Sequence, residues 1–227
     1  MADPLDRPIW AALTTRQAAL AQGDANARRY RPEISPFTAT RDDGQASLAA
    51  LATLAEPGRT MLFLQADPIV LPSLLIERQT AKAVQMVAGE PFAVFEDPRI
   101  ERLGLKDAEA MLALADLTKP GPFTLKAQSF GAFWGIRQEG RLVAMAGERL
   151  KLPGLTELSG LATHPDRQGG GLGKLLLTYV AGQISARGET VFLHAYGWNE
   201  KAILLYERLG FRLRSAMNVA FVEVRTP

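Results

Sequence analysis

Cysteine is absent from this chain, and histidine nearly so, with His164 and His194 the only two. The first absence excludes disulfides, thiolate metal sites and a cysteine nucleophile together. The second leaves too little for a histidine-based metal centre, so no metal is expected. Long apolar runs are missing as well, and the start, MADPLDRPIW, has neither the basic nor the apolar region of a secretion signal. A cytoplasmic protein with no membrane partner is therefore expected. Nor is there a surplus of one charge: the formal net charge is +2 and no Arg-Lys run appears, which argues against a nucleic-acid partner.

What the chain has is the composition of a globular protein, 227 residues with 47% hydrophobic and 22% charged, enough for one large domain or two small ones. Residues 1–100 carry 10 Lys+Arg against 12 Asp+Glu, and the remainder 16 against 12. A basic surplus that modest and that local suits a small phosphorylated ligand better than a duplex. Up to about Ala55 the apolar spacing in PIWAALTTRQAALAQ and DGQASLAALATLA predicts helices, and after Pro57-Gly58 the segments TMLFLQ, AKAVQMVAG and FAVFED read as short strands. No chemical motif is visible there.

From Pro98 the rhythm becomes α/β. RIERLGL reads as a strand, DAEAMLALADL as a helix capped by Asp107, and AFWGIRQEGRLVAMAGERL as a hairpin turning at Glu139-Gly140. LTELSGLATH, TVFLHAY and MNVAFVEV read as further strands, with GLGKLLLTYVAGQISARG and EKAILLYERLG as helices between them. A domain over 1–97 followed by a second over 98–227 is the expected division.

The chemistry concentrates in HPDRQGGGLGKLLLTY, where glycines stand at the start of a helix whose Leu172, Leu175, Leu176, Val180 and Ile184 share one face. The first amides of a helix have no intrahelical acceptor and carry the positive end of its dipole, so glycines there clear the way for an anion. Spacing decides which anion is excluded. A Walker A loop fails because Gln168 and Leu175 occupy its end positions, and G-x-G-x-x-G fails because Lys174 stands where the third glycine belongs.

Gln168-Gly169-Gly170-Gly171-Leu172-Gly173 does fit Gln/Arg-x-x-Gly-x-Gly, and NEKAILLYERLGF follows one strand later with Asn199 as a helix cap and Gly210-Phe211 as its stop. On these two motifs the region of about 98–224 resembles the GNAT superfamily of acyl-CoA-dependent N-acyltransferases. LADLTKPGPF, GRLVAMAGERL, ELSGLATHPDRQGGGLG and FLHAYGWNEKAILLYERLGF resemble its bacterial glycine-N-acyltransferase-like branch, members of which often carry an additional N-terminal domain. The fold this implies is a mixed central sheet flanked by helices.

The resemblance implies acetyl-CoA as co-substrate, with Leu161, Ala162 and Thr163 on the pantetheine and Gln168, Gly169, Gly170, Gly171, Leu172, Gly173 and Lys174 around the pyrophosphate. Asn199 and Tyr206 complete the cofactor site. Tyr206 matches the tyrosine that protonates the leaving thiolate, a task its phenol suits at neutral pH. The backbone N–H of Ala162 would stabilise the oxyanion. Glu157 matches a position used as base, directly or through water, with Glu148 and His164 as rivals. Strand alternation places Glu157, Ser159, Leu161 and Thr163 on one face unless a bulge intervenes. The expected reaction is direct transfer to a small amine or amino acid. A non-catalytic acyl-CoA-binding module and a protein or peptide N-acetyltransferase stay open as alternatives, as does a homodimer.

Overall fold

The computed structural model describes residues 3–225. In chain order its elements are α1 (Pro8–Thr14), β1 (Ala21–Gly23), β2 (Ala27–Tyr30), β3 (Thr38–Thr40), α2 (Gln45–Leu54), β4 (Met61–Gln65), β5 (Leu75–Ala88) and β6 (Ile100–Leu103). Then come α3 (Ala108–Thr118), β7 (Phe133–Gln138), β8 (Arg141–Leu152), β9 (Leu155–Thr163), α4 (Leu172–Ser185), β10 (Thr190–Tyr196), α5 (Glu200–Arg208) and β11 (Phe211–Val224). They divide into two compact units. The first takes the chain up to Gln85, Ala195–Asn199 and the segment from Arg214; the second takes Met86–His194 and Glu200–Leu213.

The first unit contains both expected helices, α1 and α2, but between them the chain forms an antiparallel three-stranded sheet, β1-β2-β3, where helix spacing was read. Strands of three to four residues are too brief to show a period of two. Its core joins Ala27, Leu51, Met61, Phe63, Leu75, Ala220 and Val222, with β4 paired antiparallel to the later part of β11.

In the second unit the strand order is β10-β9-β8-β7-β6, with β9 and β10 parallel and the other neighbours antiparallel, so the sheet is mixed. Helices cover both faces. Phe133 packs with Met111, Leu114 and Ala115 of α3, while the next residue, Trp134, lies edge-on to Tyr179 of α4, ring centroids 6.0 Å apart. Successive strand residues point to opposite faces, so α3 and α4 sandwich the sheet. The hairpin turns where the sequence places it, with positive φ at both Glu139 (52°) and Gly140 (78°), as a type I′ turn requires.

Two local expectations change. Asp107 makes no side-chain bond into α3; its carboxylate instead accepts from Gly104 N (2.8 Å) and Arg137 Nη2 (2.6 Å). FAVFED forms no strand. Phe92 N donates to Ser185 Oγ (3.0 Å), and a Cβ at Gly182 would come within 2.5 Å of Ala93 O, so this extended segment lies on the backbone of α4 rather than on a sheet edge.

Candidate active site

β9 is the strand on which the site is built, and it is not regular. Against β8, Gly147 pairs with Ser159 and Met145 with Ala162, so three steps on β9 oppose two on β8. That extra residue is a bulge centred on Gly160, whose φ of 62° is left-handed. Its effect is to reverse the alternation expected from sequence. Ala162 packs into the core beneath α3, whereas Thr163 turns to α4, where its Oγ1 lies 3.4 Å from the Cβ that Gly173 lacks. Ser159 and Gly160 border a cleft with Pro120, Phe123, Phe133 and Arg149. β10 pairs with β9 over Leu155–Glu157 against Thr190–Phe192, and Leu161–Thr163 lie beyond that paired stretch.

At the end of β9 the chain makes a single 3-10 turn, Pro165–Arg167, capped by His164, whose Nδ1 accepts from Asp166 N (3.2 Å). Gln168 Nε2 reaches back to Thr163 O (3.3 Å) and closes the turn onto the strand. Gly169 (φ 81°) and Gly171 (φ 78°) are both left-handed, and Gly171 is the N-cap of α4. A Cβ at either would meet nothing within 4 Å, so glycine serves conformation here rather than close packing. The first α-helical bond runs from Leu175 N to Gly171 O (3.0 Å), which leaves the amides of Leu172, Gly173 and Lys174 without an intrahelical acceptor. Loop and Lys174 are exposed. Just before them in the chain, Arg167 has a buried Nε with no hydrogen-bond partner among the described residues.

Glu157 is fully buried and fully engaged. Its Oε2 accepts from Arg149 Nε (2.8 Å) and Leu150 N (3.2 Å), and its Oε1 from Arg149 Nη2 (2.6 Å) and His194 Nδ1 (2.7 Å). Burial pushes this carboxyl up, but the Arg149 guanidinium and then His194 outweigh it and hold it at about 2. Both Arg149 and His194 are themselves nearly enclosed, at 13% and 5% side-chain exposure. Neither entered the sequence reading as a site residue. Arg149 faces Glu157 because a second irregularity lies on β8, where Glu148 pairs with Leu158 but Lys151 with Thr156.

The rivals for the base are placed otherwise. Glu148, 1% exposed, is held by Lys151 Nζ (2.6 Å) and by Arg187 Nη2 (2.8 Å) beyond the C-terminal end of α4. His164 serves the turn already described. Tyr206 is buried on α5, its ring edge-on to Phe211, which folds back after Gly210 (φ 92°). Burial pushes its phenol up to about 12, and its hydroxyl has no hydrogen-bond partner among the described residues. Asn199 sits in the turn before α5, its N–H donating to Tyr196 O (2.9 Å).

Comparison with known proteins adds four likenesses. The family model described as FR47-like protein matches residues 133–220. The crystal structure of a protein assigned to the GNAT acetyltransferase family, from Novosphingobium aromaticivorans DSM 12444, is 39% identical, covers 99% of this chain and 100% of its own, and superposes with a TM-score of 0.92. Over 77 residues the chain is 38% identical to the [ribosomal protein bS18]-alanine N-acetyltransferase of Escherichia coli K12, which is 34% of this chain and 51% of that enzyme, so the chain spans about half the length of the curated relatives it matches. A GCN5-related N-acetyltransferase from Kribbella flavida, 17% identical, shares the fold over 97% of this chain and 96% of its own with a TM-score of 0.62.

Proposed function

This chain belongs to the GNAT acetyltransferase family, and on that premise we propose that it transfers an acetyl group directly from coenzyme A to the amine of a small molecule or amino acid. The observation that carries the proposal is the glycine loop: two left-handed glycines and a run of unpaired helical amides at the end of a bulged strand. Gly169 to Lys174 would hold the pyrophosphate with backbone N–H groups, helped by the orphan donor of Arg167. The strand backbone at Leu161, Ala162 and Thr163 would line the pantetheine, with Gln168, Asn199 and Tyr206 completing the site. Bound acetyl-CoA supplies an activated thioester; everything else falls to the chain.

Three tasks follow for its residues. A backbone N–H of β9 beside the bulge, on the edge turned away from β8, is proposed as the donor to the carbonyl oxygen as negative charge develops on it, since Ala162 itself is paired with Met145 of β8; one such donor is typically worth about 10²–10³ in rate. Tyr206, buried and protonated across the working pH range, is proposed to give its proton to the departing sulfur. Glu157 is proposed to belong to the machinery that takes the proton of the amine. The transferase role is proposed for residues 98–227, and residues 1–97 are proposed as an accessory part. A small acceptor is favoured by the narrow cleft walled by Pro120, Phe123 and Phe133, the first two from the LADLTKPGPF segment.

A second reading, transfer to the N-terminal amine of a protein, is favoured by the bS18-alanine relative. A thiol-release assay with acetyl-CoA separates the readings. Turnover with free amines or amino acids supports the first, and turnover only with peptides beginning in a free amine supports the second. Tight CoA binding with no turnover on either panel would instead make the chain an acyl-CoA-binding module.

A further inference from the structure

A general base for amide formation must present an accessible lone pair to the amine, and Glu157 is badly placed to do so. Each of its two oxygens already accepts two donors, it is fully buried, and it is a carboxylate far below neutrality. What it does offer is an ionised acceptor 2.7 Å from His194 Nδ1. A carboxylate can only accept, so Nδ1 must carry the proton, and the lone pair of the neutral imidazole is on Nε2. His194 stands on β10 two residues past Phe192, the last residue paired with β9. The far side of the same array, Arg149, borders the aromatic cleft proposed for the acceptor.

We infer that His194 is the base of the transfer reaction and that Glu157 and Arg149 are positioning residues, Glu157 fixing the Nδ1–H tautomer of His194 and Arg149 fixing Glu157. The inference rests on the acetyl-transfer reading above and assigns its proton acceptor. As the amine nitrogen bonds to the thioester carbonyl carbon, its proton passes to His194 Nε2. As the C–S bond breaks, the electron pair goes to sulfur, which takes the proton of the Tyr206 hydroxyl; solvent then returns one proton from His194 to the tyrosine. The imidazolium formed in between is balanced by Glu157, whose own charge Arg149 balances in the resting site. Glu157 of β9 is the charged group bonded to His194, and Arg149 of β8 is bonded in turn to Glu157.

The geometry makes Glu157→Gln a sharp probe. Each oxygen meets two donors, but of the four only His194 Nδ1 can give up its proton, so the single oxygen of glutamine is drawn to Arg149 Nε and Leu150 N at Oε2, and its NH₂ group falls at the Oε1 position. It would then donate to His194 Nδ1, and the imidazole proton must move to Nε2, turning the lone pair away from the amine. With only two histidines, side-chain nitrogen NMR assigns His194 against a His164→Gln control.

The expected result is an Nδ1–H imidazole in the wild type and an Nε2–H imidazole in Glu157→Gln. An Nε2–H wild type, or no change of tautomer in the variant, overturns the inference. In turnover, His194→Ala is expected to lose on the order of 10²–10⁴ in kcat with little change in the KM for acetyl-CoA, and to be rescued by added imidazole. Glu157→Gln is expected to lose on the order of 10²-fold or more in kcat, with no rescue, by the logic of a wrongly held tautomer. An active wild type with His194→Ala unimpaired, or impaired only in KM, overturns the assignment. If His194→Ala does not fold, His194→Gln takes its place. A wild type inactive on every amine would retire the transfer reading, whereas the tautomer measurement tests the array in either case.

Discussion

At the scale of single residues, Tyr206 and Glu157 are both buried titratable groups, and their surroundings drive them in opposite directions. Tyr206 has only burial acting on it, so it stays a neutral acid. Its conversion to phenylalanine removes one oxygen at a site with no protein partner among the described residues, so the fold and CoA binding should persist. Turnover by Tyr206→Phe should fall by about 10²-fold or more while CoA affinity stays within about twofold, measured by thiol release and calorimetry. Glu157 has three donating partners, Arg149, His194 and the Leu150 N–H, and its folded value of about 2 lies below the ordinary 4.5. A depressed carboxylate contributes stability that is complete above the unfolded value and is lost as pH falls toward the folded one. The urea midpoint of the wild type should therefore fall between about pH 4.5 and 2, and Glu157→Gln should show a shallower fall. Asp42 and Asp97, part-exposed carboxylates also held at about 2, contribute equally to both proteins and drop out of the difference.

At the scale of elements, the two irregularities flanking Glu157 decide what the site contains. The β9 bulge aims Ala162 and Thr163 to opposite faces from those that plain alternation assigns, and the β8 irregularity brings Arg149 onto Glu157. Neither has a sequence signature beyond one glycine in a strand, which is why the sequence points to Glu157 as a candidate but not to its partners Arg149 and His194. His194 was equally hidden, being one polar residue in the apolar strand TVFLHAY. Gly160 holds the bulge: its φ is 62° and a Cβ would meet Phe133 Cε1 at 2.9 Å. Gly160→Ala should therefore cost about 2 kcal/mol or more, summing left-handed strain and overpacking. Equilibrium urea unfolding checks it, and a variant as stable as the wild type would show that the bulge does not depend on glycine. By contrast the α4 loop, the hairpin and the turn at Gly210 were readable, because each rests on local backbone preference at named glycines.

At the scale of the whole molecule, the later region was easier to read than the earlier one. Helix periods and two spaced motifs mark residues 98–224, whereas β1, β2 and β3 are three to four residues each, too short to declare a period. The division into two units was also beyond reach, because Ala195–Asn199 and the segment from Arg214 join the first unit across long stretches of sequence. Chain-order reading cannot see such a return. What unites the readable parts is one proposed chemical requirement, that the amides bared at the start of α4 hold a pyrophosphate. Calorimetric titration of CoA into the wild type and Gly171→Asp tests that requirement most directly. Aspartate would place a side chain at a left-handed position of φ 78° and a negative charge at the helix N-cap. Binding in the wild type with none detectable in a folded Gly171→Asp is the predicted result, and equal affinity in the two proteins would contradict it.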